Sequence, residues 1–139
     1  MRREEFVTST LALCGVPIQH RGRNASVGLD CVGVPVAAAA ACGAILAEPA
    51  PRYGLTPSED ELADGLRHVA RRITTDERQA GDLVQMLMGR QARHCGVIVE
   101  VGERHDRIVH AFAKKRRVEV ALVPVEQIKA VWRLRCLDG

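Results

Sequence analysis

"SVGLDCVGVPVAAAA", residues 26–40, places an acid directly before a cysteine and a run of small apolar residues directly after it. The nearly apolar run from Val32 to Ala47 contains Pro35 and falls short of the roughly eighteen residues expected of a membrane-spanning helix. It predicts a buried helix starting at Cys31 or Val32 and ending at Leu46. With Val32 as N-cap, Pro35 lies in the first turn, where its missing N–H costs nothing. Cys31 then stands at the helix N-terminus, facing free N–H groups and the positive end of the dipole. Both favour thiolate over thiol, and the same N–H groups can hold a developing oxyanion. Reactivity well below the ordinary thiol pKa is therefore expected of Cys31. The alternative reading is a small buried core residue, the usual place of a free cysteine.

The chain around this stretch has 139 residues, 47% hydrophobic and 27% charged, which predicts one domain, residues 1–139, with a real core. Its four aromatics are Phe6, Tyr53, Phe112 and Trp132, so that core has to be aliphatic. A formal net charge of +3 and the lack of aromatics interleaved with basic residues give no support to a nucleic-acid partner. The start, "MRREEFVTST", has no apolar segment of the secretory kind, so no signal peptide and no membrane insertion are expected. Five cysteines without a CxxC pair predict reduced thiols rather than a disulfide framework.

Arg3–Cys14 reads as a helix with Phe6, Thr10 and Leu13 on one stripe and Gly15 as its stop. Residues 15–30 read as loop. Ser58 and Glu61 form a capping box for a third helix, whose stripe of Leu62, Leu66, Val69 and Ile73 ends with Arg71 and Arg72 in its last turn. After Gly81 the pattern becomes that of strands: Leu83–Met88, His94–Val101, Arg107–Phe112, Val118–Val123 and Trp132–Leu137. Helices first and strands after predict an α+β fold, with N-terminal helices packed on an antiparallel sheet.

A cysteine nucleophile needs a base and a group that orients the base. Of five histidines, His68 lies on the polar part of a helix and His105 in a charged turn, and both read as solvated. His20 lies in a polar loop and could line a cleft. His94 opens the strand "HCGVIVEV", where Gly96 leaves room on its face for a helix end, and His110 lies in the next strand. The two are sixteen residues apart, and an even-to-even register across the hairpin would put both on one face. A zinc site of Cys31, His94, Cys95 and His110 fits poorly, since neighbours on a strand point to opposite faces and no pair has short ligand spacing. The basic run Lys114–Arg117 reads as a solvated turn, or as a patch that meets an anionic wall polymer or a tail partner.

Four pieces in order, "GVPIQHRGRNASVGLDCVGVPV" (15–36), "QAGDLVQM" (79–86), "HCGVIVEVG" (94–102) and "IVHAF" (108–112), resemble the NlpC-type cysteine peptidases. The "HRGR…GLDCVG" variant is most similar to small members encoded in phage and prophage tail-gene clusters. The resemblance implies a papain-like α+β fold and hydrolysis of peptide bonds in peptidoglycan stem peptides, commonly beside D-glutamate and a diamino acid. It implies Cys31 as nucleophile, His94 as base, His110 as the group orienting His94, Asp30 as a binder of a substrate amine, and Gly81 and Asp82 as structural residues. It implies no cofactor and no metal. Further expectations are tail hub or tail-tip partners, synthesis in the bacterial cytoplasm and assembly into a virion. Many members carry an aromatic, often Tyr, just after the loop's Gly-x-Pro, whereas this chain has Ile18 there. A structural tail-tip protein that keeps the fold with weak or no activity, and an acyl-transferring relative using the same Cys–His pair, are the other readings.

Overall fold

The computed structural model describes residues 1–48, 53–54 and 56–137. Helix α1 spans Arg3–Leu11, followed by a short ribbon of β1 (Arg23–Asn24) and β2 (Gly28–Leu29), then α2 (Gly33–Ala41) and α3 (Glu59–Val69). The remaining elements are β3 (Ala70–Ile73), β4 (Leu83–Met88), β5 (Gln91–Glu100), β6 (His105–Phe112), β7 (Arg117–Pro124) and β8 (Ile128–Leu134). The last six strands form one sheet in the order β3-β8-β4-β5-β6-β7, every pair antiparallel. The expected α+β architecture is therefore the one observed. Among the described residues no helix is long and apolar enough to cross a membrane.

Alternation along the strands divides the buried side chains into two cores. Leu83, Cys95, Val97, Val109 and Trp132 pack with Phe6, Cys31, Val34, Ala38 and Leu62 from the helical side. Val84, Met86, Ile98, Ile108 and Val131 pack together on the opposite face of the sheet. α2 reaches the sheet closely because it is built of small residues, and it is shorter than expected, ending at Ala41 ahead of Gly43 with φ +80°. Gly33 is obligatory at its start: a Cβ there would lie 2.0 Å from the Gly22 carbonyl oxygen.

α3 carries the expected capping box, with Glu61 N–H donating to Ser58 Oγ at 3.1 Å and Ser58 N–H to Glu61 Oε1 at 2.9 Å. It ends at Val69 rather than continuing through Ile73. Arg71 and Arg72 belong to β3, which pairs with β8 from Ala70↔Leu134 to Ile73↔Val131. Ile73 thereby enters the far core instead of extending the helix stripe. Strand pairing overrides the helical spacing because a pairing edge on β8 is available to these four residues. The Gly81–Asp82 corner is structural, as expected. Gly81 has φ +98°, and fully buried Asp82 accepts from Arg3 Nη1 at 3.1 Å, Arg133 Nε at 2.9 Å, Arg133 Nη2 at 2.8 Å and Gln79 N–H at 2.8 Å.

Candidate active site

The β1–β2 ribbon fixes the approach to Cys31. Leu29 N–H donates to Pro17 O at 2.9 Å, Gln19 N–H to Leu29 O at 3.0 Å, and Asp30 N–H to Gly22 O at 3.3 Å. The chain then turns into α2 with Val32 at the N-cap position. The side chain that caps the helix is Asp30, whose Oδ1 accepts from Val32 N–H at 3.1 Å and Gly33 N–H at 2.8 Å. The first-turn amides expected to face the thiol are thus held by a carboxylate.

Cys31 is 5% exposed, in the helix-side core with Cys95. Burial, followed by the negative charge of Asp30, pushes its thiol up to about 12, against smaller opposing effects of the Cys95 backbone, Arg23 and its own backbone. The expected low-pH reactivity is therefore not what this environment gives: at neutral pH the group is a thiol. Desolvation disfavours the anion, and the donors that could compensate are bonded to Asp30.

On the sheet, His94 and His110 share one face, because the β5–β6 register beside them is the even one, Val97↔Val109 and Ile98↔Ile108. His94 Nε2 lies 2.8 Å from His110 Nδ1, with the rings edge-on at 5.0 Å between centroids. Phe112 stands edge-on to His110 at 5.2 Å. Burial and the neighbouring His110 lower the His94 pKa to about 4, and burial lowers that of His110 against the opposing pull of Glu119. Both rings are thus neutral near pH 7. His94 Nδ1 and His110 Nε2 are buried without a hydrogen-bond partner, and no hydrogen bond joins His94 to Cys31 among the described residues. The two halves meet through the strand backbone, since Cys31 feels the main chain at Cys95, the residue after His94. The room at Gly96 is taken by Ile108 Cγ2 and Met86 Cε, 2.5 and 2.9 Å from where a Cβ would stand, rather than by a helix end.

Asp30 is 7% exposed. Besides the two amides, its Oδ1 accepts from Arg23 Nη1 at 2.7 Å, and its Oδ2 accepts from the Tyr53 hydroxyl. A substrate ammonium, expected to bind here, would have to share the carboxylate with these donors, Oδ2 having one partner and Oδ1 three. Arg23 Nη2 also donates to the Tyr53 hydroxyl at 2.8 Å, and Arg23 Nε to Glu48 Oε2 at 2.9 Å. His20 is exposed, with its ring edge-on to Tyr53 at 6.5 Å. His68 is exposed on α3, and His105 is the exposed first residue of β6. Ile18 is half-buried against the helix-side core and bridges Leu29.

Arg23, Glu48 and Tyr53 were not singled out from the sequence. The signal for Arg23 was present: an acid lodged between apolar Leu29 and Cys31 has to be paired if buried, and "HRGR" supplies the nearest cations. Between α2 and α3 lies a cavity of about 250 Å³, lined by Val32, Pro35, Leu62, Leu66, Tyr53 and Cys95 among others. Among the described residues no group of three or more His, Cys, Asp and Glu side chains is placed to hold a metal ion.

This arrangement is an α+β domain with a cysteine at a helix start and two bonded histidines on adjacent strands, and it has solved counterparts. The peptidoglycan hydrolase RipB from Mycobacterium tuberculosis superposes with a TM-score of 0.64 at 20% identity, over 99% of this chain and 65% of that one. A lipoprotein-like protein of the NLP/P60 family from Staphylococcus aureus gives 0.63 at 16% identity, over 99% and 42%. The NlpC/p60 domain of the peptidoglycan hydrolase SagA gives 0.62 at 19% identity, over 94% of this chain and 97% of that domain. The chain therefore has the papain-like fold of NlpC/P60 domains, and it spans about two thirds and under half of the first two proteins. No family model and no curated sequence matches it.

Proposed function

We propose that this chain is a cysteine endopeptidase of the NlpC type that hydrolyses peptidoglycan stem peptides, with Cys31 as nucleophile, His94 as base and His110 orienting His94. The observation that carries the reading is the His94 Nε2–His110 Nδ1 bond, which leaves His94 Nδ1 buried and unpartnered. With Nε2 donating to His110, Nδ1 is the acceptor, which supplies one half of what a thiol nucleophile needs; the contact between Nδ1 and Cys31 has to form when substrate binds. The fold shared with proteins described as peptidoglycan hydrolases supports the substrate class.

With Cys31 high and His94 low, the resting pair is neutral thiol and neutral imidazole. Bound substrate then has to drive the chemistry. The Cys31 proton passes to His94 Nδ1 as sulfur attacks the scissile carbonyl, and His94 returns it to the leaving amine. Water then hydrolyses the thioester with His94 as base. Residues 1–139 act as one domain in this reading, with Asp30 capping α2 and His20 at the substrate side of Tyr53. The "HRGR…GLDCVG" resemblance supports synthesis in the bacterial cytoplasm and assembly into a phage tail beside hub or tail-tip proteins, with cleavage during DNA entry.

One observation favours a second reading, a structural tail-tip protein with weak or no activity: the Cys31 thiol is buried and its helix-end amides are taken by Asp30. Incubation with defined muropeptides, read by mass spectrometry beside a Cys31→Ala control, separates the two. Cleavage that depends on Cys31 is expected. Intact muropeptides at high enzyme concentration would favour the structural protein.

A further inference from the structure

Asp30 and Cys31 are neighbours in the chain, so whatever fixes the Asp30 carboxylate fixes the backbone that carries the thiol. Two residues with no part in the peptidase reading do this from outside α2. Arg23 Nη1 donates to Asp30 Oδ1 at 2.7 Å, the Tyr53 hydroxyl donates to Oδ2, and Arg23 Nη2 donates to that hydroxyl at 2.8 Å. Each is anchored in turn. Arg23 Nε bonds Glu48 Oε2 at 2.9 Å and Oε1 at 3.1 Å, while Arg21 Nε bonds the Tyr53 carbonyl at 2.9 Å.

We propose that Arg23 and Tyr53 are positioning residues for Cys31: they hold the Asp30 carboxylate on the first turn of α2, and the Arg23 guanidinium offsets the Asp30 charge beside the thiol, so that Cys31 can give up its proton. The proposal rests on Cys31 being the nucleophile, but thiol reactivity can be measured without any substrate. A planar guanidinium is suited to the task because one side chain reaches the carboxylate, the phenol and Glu48 at once.

Few other charges compete with this pair at the thiol. Asp30 and Arg23 are the charged side chains that act on it. The ionisable side chains of the site on the strands against α2 are Cys95, which also feels Cys31 and Asp30, and the His94–His110 pair, neutral near pH 7. The acids of α1, Glu4 and Glu5, lie by the far end of α2 at Ala41 and Cys42.

The test is the alkylation rate of Cys31 by iodoacetamide across pH, resolved by peptide mapping of the folded full chain, with Tm measured in parallel. Arg23→Gln should slow Cys31 by about tenfold or more at a fixed alkaline pH, the effect of a one-unit upward shift. Arg23→Lys, which keeps the charge but not the fork, should recover part of that rate. Tyr53→Phe should slow it by about threefold, since one donor to Asp30 is lost and more negative charge stays beside the thiol. A lower Tm with a wild-type Cys31 rate in the folded variants would overturn the proposal and leave the network merely structural. If Arg23→Gln does not fold, Tyr53→Phe decides alone: a folded variant with an unchanged rate overturns it. If the shifts appear but no form cleaves stem peptides, the positioning role stands and the peptidase reading fails.

Discussion

At the start of α2 the Asp30 carboxylate has four donors, whereas across the strands the His94–His110 pair has one mutual bond and two buried nitrogens without partners. Both regions are polar and desolvated, yet only one is satisfied. Buried polar atoms without partners are costly, about 1–3 kcal/mol each, and a catalytic role is one reason a fold keeps them. In the proposed reaction the satisfied region sets where sulfur sits, and the unsatisfied one holds the atoms that move the proton. The division of labour can be broken by exchanging the properties of the two regions.

The largest effect is expected on the unsatisfied side. His94→Ala should reduce stem-peptide cleavage by about a thousandfold or more while leaving the circular dichroism spectrum unchanged, because general acid–base transfer contributes roughly 10²–10⁴. His110→Ala, which removes only the orienting bond, should cost about tenfold. Cleavage by His94→Ala at the wild-type rate would show that the free Nδ1 is not the base.

The next effect is on stability. His94 binds its proton with a pKa of about 4 in the folded chain against 6.5 when exposed. The unfolded chain therefore takes up the proton first as pH falls. The stability tied to the neutral ring is fully present above about 6.5 and is lost between there and about 4, by up to about 3 kcal/mol. Urea unfolding at several pH values should show this slope, and His94→Asn should remove most of it. A slope unchanged in His94→Asn would place the titration elsewhere.

Where the sequence could be read, local chemistry and local order coincided. Ser58–Glu61 stood out because a capping box is complete within four residues. The shared face of His94 and His110 needed more than their even spacing: beside the turn Glu100 pairs with Arg107, and only the register shift between Ile98 and Glu100 gives the even pairing Val97↔Val109 and Ile98↔Ile108. What stayed hidden depended on distant partners. Ile73 follows the helix stripe in sequence and joins β3 only because β8, some sixty residues later, offers it a neighbour. The donors that hold Asp30 were not legible, because Tyr53 and Glu48 lie beyond α2 in the chain and no periodicity connects them to it. The same blindness produced the expectation of a low thiol pKa: the helix end was visible, but the carboxylate occupying its amides was not.

A smaller effect sharpens the contrast from the satisfied side. Exposed Cys14 should be alkylated before Cys31 at about pH 8, because a thiol pushed up to about 12 is almost wholly protonated there. His94→Ala should leave the Cys31 rate in the free protein within about twofold, since a neutral imidazole stabilises little thiolate. Cys31 labelling first by peptide mapping would mean that sulfur and histidine form an ion pair at rest.

The smallest change tests what the satisfied region withholds. Oxyanion stabilisation needs donors that are not already bonded. Val32 and Gly33 N–H are given to Asp30, and the Tyr53 hydroxyl is given to Asp30 as well. An aromatic hydroxyl at position 18 would be a new donor rather than a duplicate, since its hydrogen is not committed to this network. Ile18 is half-buried, with its backbone fixed by the Leu29 bridge and by donation to Arg116 O at 3.1 Å, so the backbone there is not free to make room. The larger ring has to find space beside the helix-side core, where overpacking costs about 1–3 kcal/mol. Ile18→Tyr should raise stem-peptide turnover by about tenfold, less than the 10²–10³ of a well-placed donor, because the ring pays part of that in strain. The measurement is kcat against the same muropeptide, with Tm to register the packing cost. A folded Ile18→Tyr chain with lowered Tm and no gain in kcat would mean that the oxyanion is already held by another donor.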